Sequence, residues 1–120
     1  MTTWLFEPTV AGDDATDVLE ITLRFEGEGT VCVLDGPVCA YTAPVLDGWL
    51  EQLWTNDRHR VIVDASDVDS LSSDGVEVIT AHAARLRACG GHLQVRSPST
   101  AARRVLALCQ ADHLVEDADR

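Results

Sequence analysis

The stretch VIVDASDVDSLSSDGVEVI, residues 61–79, joins an apolar run to a helical pattern through a loop of hydroxyl and carboxyl groups. Its first part is rich in β-branched residues bounded by polar ones, which is typical of a central strand covered on both faces. Its last part begins a helix near Ser73 that ends at the pair Gly90 and Gly91. The apolar stripe of this helix consists of Val76, Ile79, Ala83 and Leu86.

The segments on the N-terminal side predict a hairpin and a helix. VLEITLRF, residues 18–25, alternates like a half-buried strand, EGEG turns the chain, and TVCVLDG forms a second strand ended by Gly36 and Pro37. We expect these two strands to pair antiparallel. The helix that follows has Thr42 as its N-cap and Pro44 in its first turn, and its apolar face consists of Val45, Leu46, Trp49, Leu50 and Leu53.

The C-terminal third predicts one more strand and one more helix. HLQVR forms the strand, and Ser99 or Ser97 caps the helix TAARRVLALCQ. Strands that alternate with helices indicate a single α/β domain with a mainly parallel sheet, right-handed crossovers and an antiparallel edge hairpin. In the last helix, the spacing places Val105, Leu108 and Cys109 on one apolar face. Arg103 and Arg104 then face water or a partner.

Composition and charge exclude several classes of function. The chain has 120 residues, enough for one domain, and its 20 acidic against 9 basic residues give a net charge of −11. Such a charge repels a phosphate backbone and an anionic membrane, so we expect no binding to nucleic acid or to a membrane. No apolar run approaches the roughly 18 residues of a membrane span, and MTTWLFEPTV lacks the features of a secretory signal. We therefore expect a cytoplasmic protein.

The sequence carries no signature of catalysis or of a cofactor. It has no P-loop, GxSxG, HExxH or GxGxxG motif, so we expect neither an enzyme nor a cofactor. The cysteines have no metal-site spacing, so we expect no metal and interpret them as free thiols packed like small hydrophobes, with a redox switch as the alternative. The histidines are interpreted as surface or boundary residues without a partner. These two sets are Cys32, Cys39, Cys89 and Cys109, and His59, His82, His92 and His113.

The loop before the second helix is the most informative feature. A serine at a helix N-terminus is accessible to a kinase, and its phosphate would gain backbone N–H donors there. Alternatively, Ser72, Ser73 and Asp74 are only competing N-caps, with Asp74 and Glu77 spaced like a capping box. Spacing alone leaves both interpretations open.

The order of these segments resembles the STAS domain of anti-sigma factor antagonists, also called anti-anti-sigma factors. The resemblance covers residues 18–115, with residues 1–17 as an acidic lead-in and 116–120 as an acidic tail. It implies a small, mostly parallel mixed sheet with helices packed mainly on one face. The segments that carry it are GPVCAYTAPVL, VIVDASDVDSLSSDGVEVI, RLRACGGHLQVRSPS and ARRVLALCQADHLV.

The resemblance implies a protein that binds an anti-sigma factor with a serine-kinase fold. Phosphorylation of the serine before the glycine in the family's DSSG ends such binding. An ungapped match from Asp64 puts D, S, S and G on Ser72, Ser73, Asp74 and Gly75, so Asp74 occupies the phosphoacceptor position. Cys39 stands where the family often has an acidic residue. The implied partner-binding residues are Cys39, Tyr41, Thr42, Ser72, Ser73, Asp74, Gly75 and Glu77.

These departures leave alternatives open. Asp74 either imitates phosphoserine permanently or is a good N-cap in a protein that lost its regulation, while Ser73 or Ser72 is a possible site of phosphorylation. The alternative function is a non-switching STAS scaffold or accessory subunit, in a stress-signalling assembly or with a transporter. The short tail leaves the sheet partly uncovered, which favours a homodimer or a partner helix, unless the segment Trp4, Leu5 and Phe6 fills the gap.

Overall fold

The computed structural model describes residues 3–5, 9–10, 18–27 and 29–116. Three α-helices and one 3-10 turn connect the strands. The strands are β1 (Thr3–Leu5), β2 (Thr9–Val10), β3 (Val18–Glu26), β4 (Gly29–Val38), β5 (Arg60–Leu71), β6 (His92–Arg96) and β7 (Val115–Glu116). The helices are α1 (Ala43–Thr55), α2 (Ser73–Ala88) and α3 (Thr100–Leu108), and the 3-10 turn is Asp112–Leu114.

The strands form one mixed sheet in the order β1-β3-β4-β5-β6-β7, and β2 also pairs with β3. β3 and β4 are antiparallel, as predicted for the hairpin, whereas β4, β5, β6 and β7 run parallel to one another. The helices follow β4, β5 and β6, as the alternating pattern predicts. The predicted α/β class with an antiparallel edge hairpin is confirmed.

The core lies between one face of the sheet and the helices. Leu23, Cys32, Val63 and Val95 are register neighbours across four strands and are all buried. They join one cluster with apolar side chains of α1, α2 and α3, so the helices pack mainly on this face, as expected. β5 is the central strand, but it buries alternate residues, so the prediction that both its faces are covered is wrong. The sequence did not show this alternation of buried and less buried positions, because nearly all residues at the start of the strand are apolar.

β4 extends two residues past its predicted end at Gly36. Gly36 has φ +120, and a Cβ there would lie 2.4 Å from the carbonyl oxygen of Val18. The glycine thus permits a left-handed backbone and a close approach to β3 rather than ending the strand. A register shift against β5 lies at this point, and Pro37 and Val38 continue the pairing beyond it.

The second and third helices begin where the sequence predicts. Ser72 is the N-cap of α2, and Gly90 follows the helix with φ +85. Ser99 rather than Ser97 caps α3, because its Oγ accepts a hydrogen bond from the backbone N–H of Ala102. The predicted apolar face of α3 is right for Val105, which is partly buried against the core, but wrong for Leu108, which is 78% exposed, and for Cys109, which is exposed. Ala102 and Leu106 are the fully buried residues of this helix.

The segment predicted as a lead-in contributes two short strands. β1 and β2 both pair with β3, so they lie at the opposite edge of the sheet from β7. Trp4 and Leu5 therefore do not fill a gap beside β7 within the same chain, and Phe6 lies outside the described residues. Of the predicted tail, Glu116 belongs to β7 and residues 117–120 lie outside the described part. Among the described helices, none combines the length and apolar composition that a membrane crossing requires.

Candidate functional site

An open groove of about 480 Å³ lies between the N-terminal halves of α1 and α2. β4 and β5 are parallel, so their C-terminal ends meet at one edge of the sheet, and α1 and α2 both start from that edge. A hydrogen bond of 2.8 Å from Ser72 N–H to the carbonyl of Val38 ties the two strand ends together. The α1–α2 groove is lined by Ala40, Ala43, Pro44, Asp47, Asp74, Glu77, Val78 and Ala81.

The loop before α1 is held by Thr42. The Thr42 hydroxyl donates to the carbonyl of Pro37 at 3.0 Å and accepts from the backbone N–H of Cys39 at 2.9 Å. Thr42 occupies the predicted N-cap position, but its side chain does not cap α1. It is fully buried, so it shapes the loop and is not available to contact a partner directly. Tyr41 beside it is 61% exposed, and Cys39 is partly buried.

The structure shows which of the three candidate residues is the N-cap of α2. The Oγ of Ser72 accepts the N–H of Gly75 at 3.4 Å, so Ser72 is the N-cap. Ser73 and Asp74 are the first two residues of the helix, and both are exposed. The capping box from Asp74 to Glu77 is therefore not formed, and the interpretation of Asp74 as the N-cap is wrong. Its carboxylate lies in the first turn, where the helix dipole favours a negative charge.

Gly75 allows α2 to start against the end of β4. A Cβ at this position would lie 2.5 Å from Cγ1 of Val38 and 2.8 Å from Cδ1 of Leu71. The glycine is buried and its backbone conformation is ordinary, so close packing is the reason for it. Gly75 thus positions Asp74 and contributes no side chain to the surface.

His82 is the residue that the sequence interpretation missed. It is 2% exposed, and its Nε2 lies 2.6 Å from Oδ1 of Asp47 on α1, so the prediction of a surface histidine without a partner is wrong. The Nδ1 atom is buried and has no hydrogen-bond partner among the described residues. The heptad-like spacing of Ile79, His82 and Leu86 contained the signal, because positions three and four apart share one helix face.

The four thiols are free but differ in exposure. Cys32 lies in the core, and burial raises its pKa to about 12. Cys89 and Cys109 follow the last residues of α2 and α3 and are exposed, so the prediction that all four pack as small hydrophobes is wrong for these two. Within the described ranges, no three His, Cys, Asp or Glu side chains are grouped so that they could hold a metal ion.

Comparison of the sequence with protein families gives one assignment. The family model described as the Mlab, STAS domain matches residues 21–116. This match spans most of the chain, so the chain belongs to the STAS domain family. No curated protein is similar enough in sequence to count as a match.

Solved structures with the same fold include anti-sigma factor antagonists. One from Mycobacterium paratuberculosis has a TM-score of 0.76 and 22% identity, over 86% of this chain and 90% of that chain. The antagonist SpoIIAA in its unphosphorylated form has a TM-score of 0.73 and 17% identity, over 82% and 87%. The Bacillus cell fate determinant SpoIIAA in its phosphorylated form has a TM-score of 0.65 and 18% identity, over 82% and 90%. The likeness confirms the fold expected from the resemblance.

Proposed function

We propose that this STAS domain protein is an interaction module that binds an anti-sigma factor of the serine-kinase type and thereby regulates sigma-dependent transcription. The observation that carries the proposal is the open α1–α2 groove, which presents Asp74 at its edge. Asp74 stands where the family resemblance expects the phosphorylated serine. Structures of the same fold include an antagonist known in unphosphorylated and phosphorylated forms.

Exposure divides the expected partner-binding residues into two groups. Tyr41, Ser73, Asp74 and Glu77 are exposed and are the side chains available for contact, and two of them, Asp74 and Glu77, line the groove. Cys39 and Ser72 are partly buried. Thr42 and Gly75 are buried and act by holding the loop and the helix start in place. We propose that the surface works by binding and not by catalysis.

The proposed switch differs from that of the family at Asp74. A carboxylate has no hydroxyl to accept a phosphate, and it carries about half the charge of phosphoserine. Ser73 is exposed and precedes Asp74 directly in the sequence, but one residue along a helix turns a side chain by about 100°. We therefore propose that the charge at this position is permanent.

Binding to serine-kinase anti-sigma factors from the native host tests the proposal. The full chain is titrated by calorimetry with each purified anti-sigma factor, and a saturable complex with at least one of them is expected. Tyr41→Ala should weaken this complex about tenfold, because an exposed aromatic at an interface often carries much of the affinity. Leu108→Ala is the matched control, since Leu108 is also a large exposed apolar residue but lies on α3. Absence of binding, or equal loss in both variants, would refute the proposal.

A second candidate function is a non-switching STAS scaffold or accessory subunit. The permanent charge of Asp74 favours it, because a scaffold needs no phosphoacceptor. Affinity capture with the full chain as bait, followed by mass spectrometry, distinguishes the two. A sensor-like STAS protein or transporter subunit as the main partner, with no anti-sigma factor, would establish the second candidate.

A further inference from the structure

We infer, on the basis of the proposed function, that the α1–α2 groove receives an arginine side chain from the protein partner. The groove opens to solvent and is bordered by carboxylates on both of its helices. Asp47 lies on α1, whereas Asp74 and Glu77 lie on α2, three residues apart, so they are neighbours on one helix face. A cation in the groove would therefore meet negative charge from both walls.

No cation of the chain neutralises the α2 wall within the described residues. Neither Asp74 nor Glu77 forms an ion pair there, and the partner of Asp47 is His82. Like charges three residues apart on one helix repel each other, and Asp47 adds a third carboxylate across the groove. An incoming positive group relieves this repulsion, which gives the groove a charge preference that apolar contact alone would not give.

The buried His82 fixes the orientation of the Asp47 carboxylate. The imidazole is 2% exposed, and its Nε2 lies 2.6 Å from Oδ1 of Asp47, whose side chain is 51% exposed. Nε2 donates this hydrogen bond, because a carboxylate can only accept, and the buried Nδ1 has no described partner. Oδ1 of Asp47 is thus engaged by His82, and the other carboxylate oxygen is available to a ligand in the groove. His82 is therefore a positioning residue for the groove.

The apolar part of the lining favours arginine over lysine. Ala40, Ala43, Pro44, Val78 and Ala81 line the same groove as the carboxylates. A guanidinium group is planar, more weakly hydrated than an ammonium and able to bond two carboxylates at once, while its aliphatic stem covers apolar surface. A compact, strongly hydrated ammonium would lose more hydration at these walls.

An arginine in the groove gives Asp74 an effect on binding opposite to that of a phosphoserine mimic. As a mimic, Asp74 would weaken the complex, and its replacement by serine would tighten it. As one wall of an arginine site, Asp74 attracts the partner, and the same replacement loosens the complex. The direction of the change in affinity separates the two roles.

Peptide probes test the groove without the anti-sigma factor. Full-length, isotopically labelled protein is titrated by NMR with a capped Ala-Leu-Arg-Leu-Ala peptide and with the same peptide carrying citrulline, which is neutral and nearly isosteric. We expect the arginine peptide to shift the amide signals of Asp47, Asp74 and Glu77, and the citrulline peptide to bind at least about fivefold more weakly. The pair Asp47→Asn with Glu77→Gln should weaken binding of the arginine peptide about tenfold. The matched control removes two exposed carboxylates paired across β4 and β5, Asp35→Asn with Asp67→Asn.

Each outcome decides a stated point. Equal binding of the citrulline peptide, equal loss in the control pair, or shifts centred outside the groove would overturn the arginine site. If an anti-sigma factor binds the wild type and the Asp47→Asn, Glu77→Gln protein equally well, the site is also wrong, although the proposed function stands. If the arginine peptide binds the groove as expected but no anti-sigma factor binds the chain, the proposed function fails and the site belongs to a partner of another class.

Discussion

The Nε2 atom of His82 lies 2.6 Å from the Oδ1 atom of Asp47, and this hydrogen bond joins the second helix to the first at the groove. The ring is fully buried, so it also fills core volume between the helices. His82→Ala should lower the free energy of unfolding by about 2–4 kcal/mol, because it removes both the hydrogen bond and the packing of a large side chain. Urea denaturation measures this change.

Asp47→Asn is the matched variant for this prediction. The amide oxygen of asparagine still accepts from Nε2, so the expected loss is below about 1 kcal/mol. If Asp47→Asn lowers the free energy of unfolding as much as His82→Ala does, the charge of Asp47, and not the buried ring, dominates the contribution of this contact to stability.

A pair of glycines tests the packing at the start of the second helix. Gly75→Ala should lower the free energy of unfolding by about 1–3 kcal/mol, because its Cβ would lie 2.5 Å from Cγ1 of Val38. Gly48→Ala should raise it by about 0.5–1 kcal/mol, since Gly48 is within the first helix and a Cβ there meets nothing within 4 Å. Chemical denaturation of both variants measures the difference. Similar changes of the same sign would contradict the close contact at Gly75.

The fold was more predictable than the site, for identifiable reasons. Alternating residues in the hairpin and the capped apolar stripe of the second helix are local patterns, and the structure confirms both. The partner of His82 lies 35 residues away on another helix, and no local pattern of the sequence shows such a pair. The face of the third helix was misassigned because Leu108 follows an apolar spacing that tertiary packing does not use. Thr42 was expected to contact the partner because the family resemblance implied it, whereas the structure buries it and its hydroxyl bonds to backbone groups of its own loop.

Alkaline pH should destabilise the protein through Cys32. The thiol has a pKa of about 12 in the folded state because of burial, against an ordinary value of 9.0. Between these values the unfolded chain loses the proton and the folded chain keeps it, so the unfolded state binds fewer protons. The free energy of unfolding therefore falls as pH rises above 9.0, by up to about 1.4 kcal/mol per pH unit. Urea midpoints measured from pH 8 to pH 10.5 follow this loss.

Two cysteine variants isolate this effect from other alkaline titrations. Cys32→Ala is expected to be less stable at neutral pH, but to lose less stability on going from pH 8 to pH 10.5. Cys89→Ala should keep the wild-type slope, because Cys89 is exposed in the folded protein and its replacement leaves the buried thiol of Cys32 in place. A wild-type slope in Cys32→Ala would show that another group causes the alkaline loss.

Asp74→Ser tests the regulatory consequence of the permanent charge. The wild type has no hydroxyl at this position, so incubation with a cognate serine-kinase anti-sigma factor and labelled ATP should leave residue 74 unlabelled, while Asp74→Ser should incorporate phosphate there. Ser72 still caps the helix in this variant, and the lost interaction of a carboxylate with the helix dipole is worth about 0.3–1 kcal/mol, so the fold should persist. Ser73→Ala is the control and should leave labelling of the Asp74→Ser protein unchanged.

Before ATP is added, the arginine site predicts that Asp74→Ser binds the anti-sigma factor more weakly than the wild type, because one carboxylate of the groove is missing. Tighter binding would instead identify Asp74 as a mimic of phosphoserine, and labelling of wild-type protein that disappears in Ser73→Ala would show that the phosphoacceptor has moved by one residue.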